Sequence, residues 1–302
     1  MSVGAALLNG NPEWAEERER LRALLDQGAY AAARRTTINA HYTDPAYVRA
    51  IWTALQDLGF DAGEVLEPGA GAGTFIGLAP AGARMTGVEL DPSTAAIARA
   101  LYPDATIRTE SFAHTRYRDG HFDAAIGNVP FADVRLHDPR HNPGGHSLHN
   151  HFILKALALT RPGGVVAVLT SRYTLDAQNP AARREMNALG DLLGAVRLPG
   201  GAHQRAAGTQ AISDLLILRR REAGSASASE RWEQSRLIEL DGGQARLNAY
   251  FHEHPEHVLG RLRIATGQYA TPALDVHADA RNLPAALGAA VGEITARARR
   301  EG

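Results

Sequence analysis

Short apolar runs alternate with helical segments between residues 64 and 218, and that alternation restricts the chain to one broad architecture. Candidate strands fall at 64–67, 85–89, 106–109, 123–127, 165–170, 192–198 and 212–218, with helices near 73–79, 92–101, 148–160 and 180–189. Strands separated by helices pair in parallel, and the helices cover both faces of the sheet. The last two strands differ, because only a glycine-rich loop at 199–208 lies between them. They read as an antiparallel pair. The expectation is an α/β fold: a mostly parallel sheet of seven strands ending in an antiparallel strand, unlike a plain dinucleotide-binding fold.

Around this block the chain divides by composition. Residues 12–35 are charged and helical, with Leu21, Leu24 and Leu25 at helical spacing, and read as part of an N-terminal arm over 1–40. Asp44-Pro45 opens a second helix through Leu58, with Asp44 or Thr43 as its cap. The main domain spans 41–221, a run of small residues makes 222–231 a linker, and 232–302 form a small C-terminal segment. No apolar run approaches the roughly 20 residues of a membrane helix. The first residues also lack a signal-peptide layout, so the cytoplasm is the expected compartment. The chain has no cysteine, which removes thiolate metal sites, disulfides and cysteine nucleophiles. Net charge is −1, and Lys155 is the only lysine among 32 basic residues. A nucleic-acid partner would therefore be held by local patches of arginine and not by a global field.

Four segments carry the chemistry, each at the end of an expected strand. Glu67-Pro68-Gly69-Ala70-Gly71-Ala72-Gly73 follows the first strand. Alternate glycines let the backbone approach a ligand, and the helix start offers free N–H groups. Three glycines are more than a tight turn needs, and the spacing is not the Gly-x-Gly-x-x-Gly of dinucleotide sites. Glu89 ends the second strand, where a carboxylate can take both hydroxyls of a ribose, although by itself it, or Asp91, would be a helix cap. Ser111 and Phe112 follow the third strand, as an adenine flank or, for the ring, as core. The fourth strand ends in Asn128-Val129-Pro130-Phe131. Alone, Asn-x-Pro is an ordinary turn. At the carboxyl edge of a parallel sheet, where such folds bind ligands, it becomes a seat for a planar amine. The amide and a backbone carbonyl accept the two hydrogens, and the ring stacks.

The order His41-Tyr42-Thr43, Glu67 to Gly73, Gly87-Val88-Glu89-Leu90-Asp91 and Asn128-Val129-Pro130-Phe131 resembles the S-adenosylmethionine-dependent N6-adenine DNA methyltransferases of the gamma type, over residues 36–221. More narrowly, Arg161-Pro162-Gly163-Gly164, Arg197-Leu198-Pro199 and His254-Pro255-Glu256-His257-Val258-Leu259-Gly260 look like methylase domains attached to helicases in large phage, plasmid and integrative-element proteins. The resemblance implies a Rossmann-like class I methyltransferase fold and S-adenosylmethionine as cofactor. Tyr42 and Thr43 would contact its methionine moiety, and Glu67, Gly69, Gly71 and Gly73 would lie beside and under it. Glu89 would hold the ribose, Ser111 and Phe112 the adenine. Asn128, Val129, Pro130 and Phe131 would receive a flipped target adenine in DNA. Val129 replaces the family's first proline; only its carbonyl is needed, though its N–H is expected to loosen the turn.

The resemblance further implies DNA as partner, together with a helicase or a restriction or defence component, and no membrane. Absence of cysteine excludes a 5-methylcytosine enzyme. Methylation of a protein glutamine or an RNA adenine, and a non-catalytic module beside a helicase, are the alternatives. The near-neutral charge and the small C-terminal segment favour the module, and the intact Asn128 motif opposes it. Five histidines in 137–151 suggest a metal, but the prolines and glycines there read better as a mobile loop over the target site, and no metal is expected. Arg183, Arg184, Arg205 and Arg219 to Arg221 are candidate phosphate contacts, or simply solvated side chains.

Overall fold

A computed structural model describes residues 15–24, 43–132, 134–200, 212–266, 272–279 and 282–301. Its centre is a sheet of seven strands: β1 (Gly63–Pro68), β2 (Ala83–Glu89), β3 (Thr106–Thr109), β4 (Phe122–Asn128), β5 (Thr160–Ser171), β6 (Gly190–Leu198) and β7 (Ser213–Arg220). Their order is β3-β2-β1-β4-β5-β7-β6. Pairs β3 to β5 are parallel, whereas β7 runs antiparallel to both β5 and β6. The expected antiparallel ending is therefore realised by inserting β7 between its neighbours. Val65, Leu66, Ala125, Ile126, Val166, Ala167, Leu216 and Ile217 are essentially inaccessible, as a sheet covered on both faces demands.

Helices α1 (Ala15–Leu24) and α2 (Pro45–Asp57) come first, followed by α3 (Thr74–Gly77), α4 (Pro92–Leu101), α5 (Leu148–Leu159), α6 (Tyr173–Asp176) and α7 (Ala181–Leu189). Asp44 caps α2, its carboxylate accepting from the Ala46 N–H at 2.8 Å, and Asp91 caps α4 through Thr94. The helix expected over 73–79 is a single turn. Its start, Gly73, is left-handed at φ 86°, and a Cβ there would strike the Tyr102 ring.

The chain beyond β7 lies on this sheet. It forms hairpin β8 (Ser235–Leu240) with β9 (Gly243–Asn248), the short helix α8 (Ala249–Glu253), hairpin β10 (Arg261–Thr266) with β11 (Pro272–His277), and α9 (Leu283–Glu301). Leu287, Val291 and Ile294 of α9 join α2 and β6 in one core, while Trp232, Leu247, Tyr250 and Phe251 join α5 and α7 in the other. Gly194 lies so close to α9 that a Cβ would come 2.7 Å from Ile294. The expected linker is also anchored: Arg221 pairs with Asp191 at 2.7 Å, Ser227 donates to Asn187, and the Ala228 N–H donates to Asp191.

Candidate active site

Parallel β1, β2, β3 and β4 bring their carboxyl ends, and with them the motif residues, to one edge. Asn128 closes β4 and lies beside Leu169 of β5. Its Nδ2 donates to the Thr43 hydroxyl at 3.1 Å, and Thr43 is itself buried just before α2. That bond turns Asn128 Oδ1 the other way, where it is buried without a hydrogen-bond partner. A buried acceptor left unpaired costs about 1–3 kcal/mol, a cost that a donor from a ligand at this edge would offset. Val129 corrects one expectation. Its extra N–H does not loosen the turn, because it donates to the Leu169 carbonyl at 3.0 Å and prolongs the β4–β5 ladder by one bond. Pro130 packs toward the glycine loop, so that a Cβ on Gly69 would meet it at 3.3 Å. Phe131 is half-buried against the same core as Phe152.

On the opposite side, Gly69, Gly71 and Gly73 all adopt left-handed backbone, with φ of 74°, 54° and 86°. A Cβ on Gly71 would meet nothing, so open space lies above that residue. Glu89 organises the loop: one carboxylate oxygen accepts from the Gly71 N–H at 2.9 Å, the other from the Asp91 N–H at 2.7 Å. Its remaining lone pairs suit a pair of vicinal hydroxyls. Glu67 is buried beneath the loop with Oε2 unpartnered. Burial, and secondarily the charge of Glu89, pushes its carboxyl well above the usual range. These features fit a nucleoside ligand over the loop.

Not every expected residue converges. Tyr42 and Arg205 lie outside the described residues. Ser111 is half-buried at the edge, but the Phe112 ring is 3% exposed and committed to the core against Phe152, with centroids 4.8 Å apart. An adenine would thus meet Ser111 and local backbone before that ring. Arg183 is buried, donating to the carbonyls of Glu233, Thr174 and Ala177. Arg219 to Arg221 end an antiparallel strand, with Arg219 opposite Val165 at the start of β5. They therefore sit at the wrong edge for substrate.

The histidine-rich segment is not a loose lid. Asp138 is buried and accepts from Lys155 at 2.8 Å and from His151 at 3.1 Å. His141 reaches Asp119 at 3.1 Å, and Asn142 ties the loop internally to Leu136 and His146. Burial alone would raise the Asp138 carboxyl, yet the bonds from Lys155 and His151 hold it well below the usual range. Burial lowers both the Lys155 ammonium and the His151 imidazole. Lys155 also donates to the Ala113 carbonyl and lies 5.1 Å over the Phe112 ring. One ammonium thus joins the segment after β3 to the loop after β4.

Two clusters form around motifs that the sequence marked by resemblance but to which it gave no role. Arg197 is buried between Asp176 and Asp214, each at 2.8 Å, and under the Phe251 ring at 4.4 Å. His254, Glu256 and His257 lie close together, but the Arg297 guanidinium stands 3.3 Å from His254, where it opposes a cation.

Comparison with known proteins agrees with the geometry. The family described as Methyltransferase domain matches residues 66–141, from β1 into the loop after β4. Over 223 residues the chain is 26% identical to the Defense against restriction protein B of Escherichia phage P1, a match covering 72% of this chain and 10% of that protein. It is 31% identical over 212 residues to the type II methyltransferase M.XamI of Xanthomonas campestris pv. amaranthicola, covering 60% of this chain and 39% of that one. The chain thus spans well under half the length of either curated relative. A solved structure from Listeria monocytogenes, described as a class I S-adenosylmethionine-dependent methyltransferase, superposes with a TM-score of 0.52 at 16% identity over 75% of this chain and 81% of its own. No described helix is long and apolar enough to cross a membrane. Residues 66–141 match a methyltransferase domain, the sheet has the class I fold, S-adenosylmethionine is the cofactor these imply, and the chain is similar in sequence to a type II methyltransferase and to a protein of defence against restriction.

Proposed function

We propose that this chain methylates the N6 amine of adenine in DNA, with the base flipped out of the duplex. The observation that carries this reading is Asn128: its Nδ2 is fixed on Thr43 and its buried Oδ1 has no partner. In adenine the N6 lone pair is delocalised into the ring, which makes the amine a poor nucleophile. Asn128 Oδ1 and the Val129 carbonyl accept its two hydrogens and draw the nitrogen toward a tetrahedral, nucleophilic form. Bound S-adenosylmethionine supplies a methyl carbon on a sulfonium leaving group. The chain's task is alignment: Asn128 and Val129 aim the nitrogen lone pair so that N–C forms as C–S breaks, and the N6 proton passes afterwards to solvent. Phe131 stacks on the base, and Pro130 packs the acceptor turn against Gly69. Glu89 would hold the ribose, Gly69, Gly71 and Gly73 would pass under the methionine moiety with Glu67 below them, and Thr43 would line its far side, with Tyr42 assigned there by the sequence resemblance alone. Ser111, with Phe112 behind it, bounds the cofactor adenine.

The likeness to the phage P1 protein, named for defence against restriction, supports a setting beside a restriction or defence component; a helicase beside it and a cytoplasmic location follow only from the sequence reading. Residues 41–221 would hold the chemistry, 1–40 and 222–231 would serve as arm and connector, and 232–302 would brace the sheet. Incubation with radiolabelled S-adenosylmethionine and unmethylated DNA, RNA or ribosomal protein tests the reading, with Asn128→Ala as control. Label is expected in DNA, falling by at least about a hundredfold in Asn128→Ala, with cofactor binding retained by calorimetry. Label in DNA that survives the substitution removes Asn128 from the site. Label confined to RNA or protein assigns another acceptor, and none at all despite cofactor binding favours a non-catalytic module.

A further inference from the structure

Arg172 and Tyr173 belong to no part of the site described so far, yet they occupy its rim. Asn128 pairs with Leu169 of β5, and the Val129 N–H bonds the Leu169 carbonyl. Tyr173 follows Leu169 by four residues, just past the carboxyl end of β5, and so on the same edge as the acceptor seat. The residue is 54% exposed. Solvent-facing single aromatics are common, but this one is held in place. The Arg172 guanidinium lies 4.2 Å from the ring centroid and donates to the Tyr173 hydroxyl at 3.1 Å. The Tyr173 N–H is tied to the Ser171 hydroxyl at 3.3 Å.

Arg172 is itself fixed from below. It pairs with buried Asp176 at 3.3 Å, Asp176 pairs with Arg197 at 2.8 Å, and Arg197 grips Asp214 through two bonds of 2.8 Å each. The result is a column of alternating charge rising from β6 and β7 to the rim. Burial alone would lower the Arg197 guanidinium, but Asp176 and Asp214 hold it above its usual value, so Arg197 stays charged at the centre of the column. A column of buried ions is a poor source of net stability. Holding one arginine and one ring at a fixed place on an active-site rim is a use that its geometry serves.

We propose that Tyr173, backed by Arg172, is a stacking platform for the DNA base next to the flipped target adenine. The guanidinium covers one ring face while about half of the residue stays exposed to solvent, and the arginine adds positive charge where a flanking phosphate would pass. The platform replaces the stacking that the neighbouring base loses when the target leaves the duplex. This inference rests on the adenine-methylation reading above.

The test measures methyl transfer to DNA over a range of DNA concentrations for the wild type, Tyr173→Ala and Tyr173→Phe, with cofactor affinity by calorimetry. Tyr173→Ala is expected to raise the KM for DNA about tenfold, while kcat and S-adenosylmethionine affinity hold. Tyr173→Phe, which keeps the ring, restores the wild-type KM. An exposed side chain is removed, so folding is preserved, and a thermal melt confirms it. If the wild type methylates DNA and Tyr173→Ala leaves its KM within about twofold, the platform is wrong and the parent reading stands. Failure of Tyr173→Phe to rescue assigns the effect to the hydroxyl and overturns stacking. A wild type that labels no DNA overturns both.

Discussion

Glu67 shows how a single residue can be legible in position and illegible in state. Its place before the glycine loop follows from sequence alone, but its protonation depends on burial to 2% exposure and on the nearby Glu89. A carboxyl whose folded pKa is raised is more protonated in the native than in the unfolded chain. Its stabilising contribution is fully present below the ordinary carboxylate value and is lost as pH climbs through the raised native value. Glu67→Gln, which copies the neutral form, should flatten that decline. Urea denaturation at a series of pH values reads the difference; wild-type and variant curves that run parallel throughout would show that Glu67 is not the group responsible. The acceptor end behaves similarly. Asn128 was visible as a motif, whereas the unpaired state of its Oδ1 and the new ladder bond of Val129 depend on Thr43 and Leu169, which only the fold brings near.

At the scale of elements, periodicity made the sheet strands readable because most carry an apolar run bounded by turns or helices, as in β4, β6 and β7. It failed where contacts and not patterns decide. Hairpin β10–β11 does alternate, as Arg261-Leu262-Arg263-Ile264 and Leu274-Asp275-Val276-His277, but each run is only about four residues long, the shortest that period-2 reading accepts, and the Arg263–Asp275 pair at 2.7 Å that joins them comes from the fold. The loop after Asn128 misled for a related reason. Its prolines and glycines suggested mobility, but two remote groups, Lys155 on α5 and Asp119 before β4, clamp it. Removing one partner of such a buried pair leaves an uncompensated charge, at a cost of about 3–5 kcal/mol. Lys155→Met should therefore lose about that much stability in urea. Adding Asp138→Leu to it should recover part of the loss, since no orphan carboxylate remains. If Lys155→Met unfolds at the wild-type midpoint, the ion pair does not hold the loop.

For the whole molecule, the question is whether the C-terminal segment is a separate unit or part of the sheet's covering. Composition marks 222–231 as a boundary, since small residues without apolar periodicity are what linkers look like. Packing takes the opposite course. Trp232, Leu247, Tyr250 and Phe251 complete one core, and Leu259, Leu287, Val291 and Ile294 complete the other. Buried polar ties follow the same lines: Asn248 binds Leu175, Trp232 and Asp176, and the Leu259 N–H donates to the Arg197 carbonyl. Large apolar side chains buried this way contribute about 1.5–3 kcal/mol each. Lost together, they outweigh the roughly 5–15 kcal/mol by which a domain is stable. A chain ending at Arg221 retains every expected catalytic and cofactor residue, yet it should show no cooperative thermal transition by circular dichroism and no cofactor binding by calorimetry. The full chain should show both. A cooperative transition in the shortened chain would mean that the segment beyond the linker is an appendage after all, and that the two cores close without it.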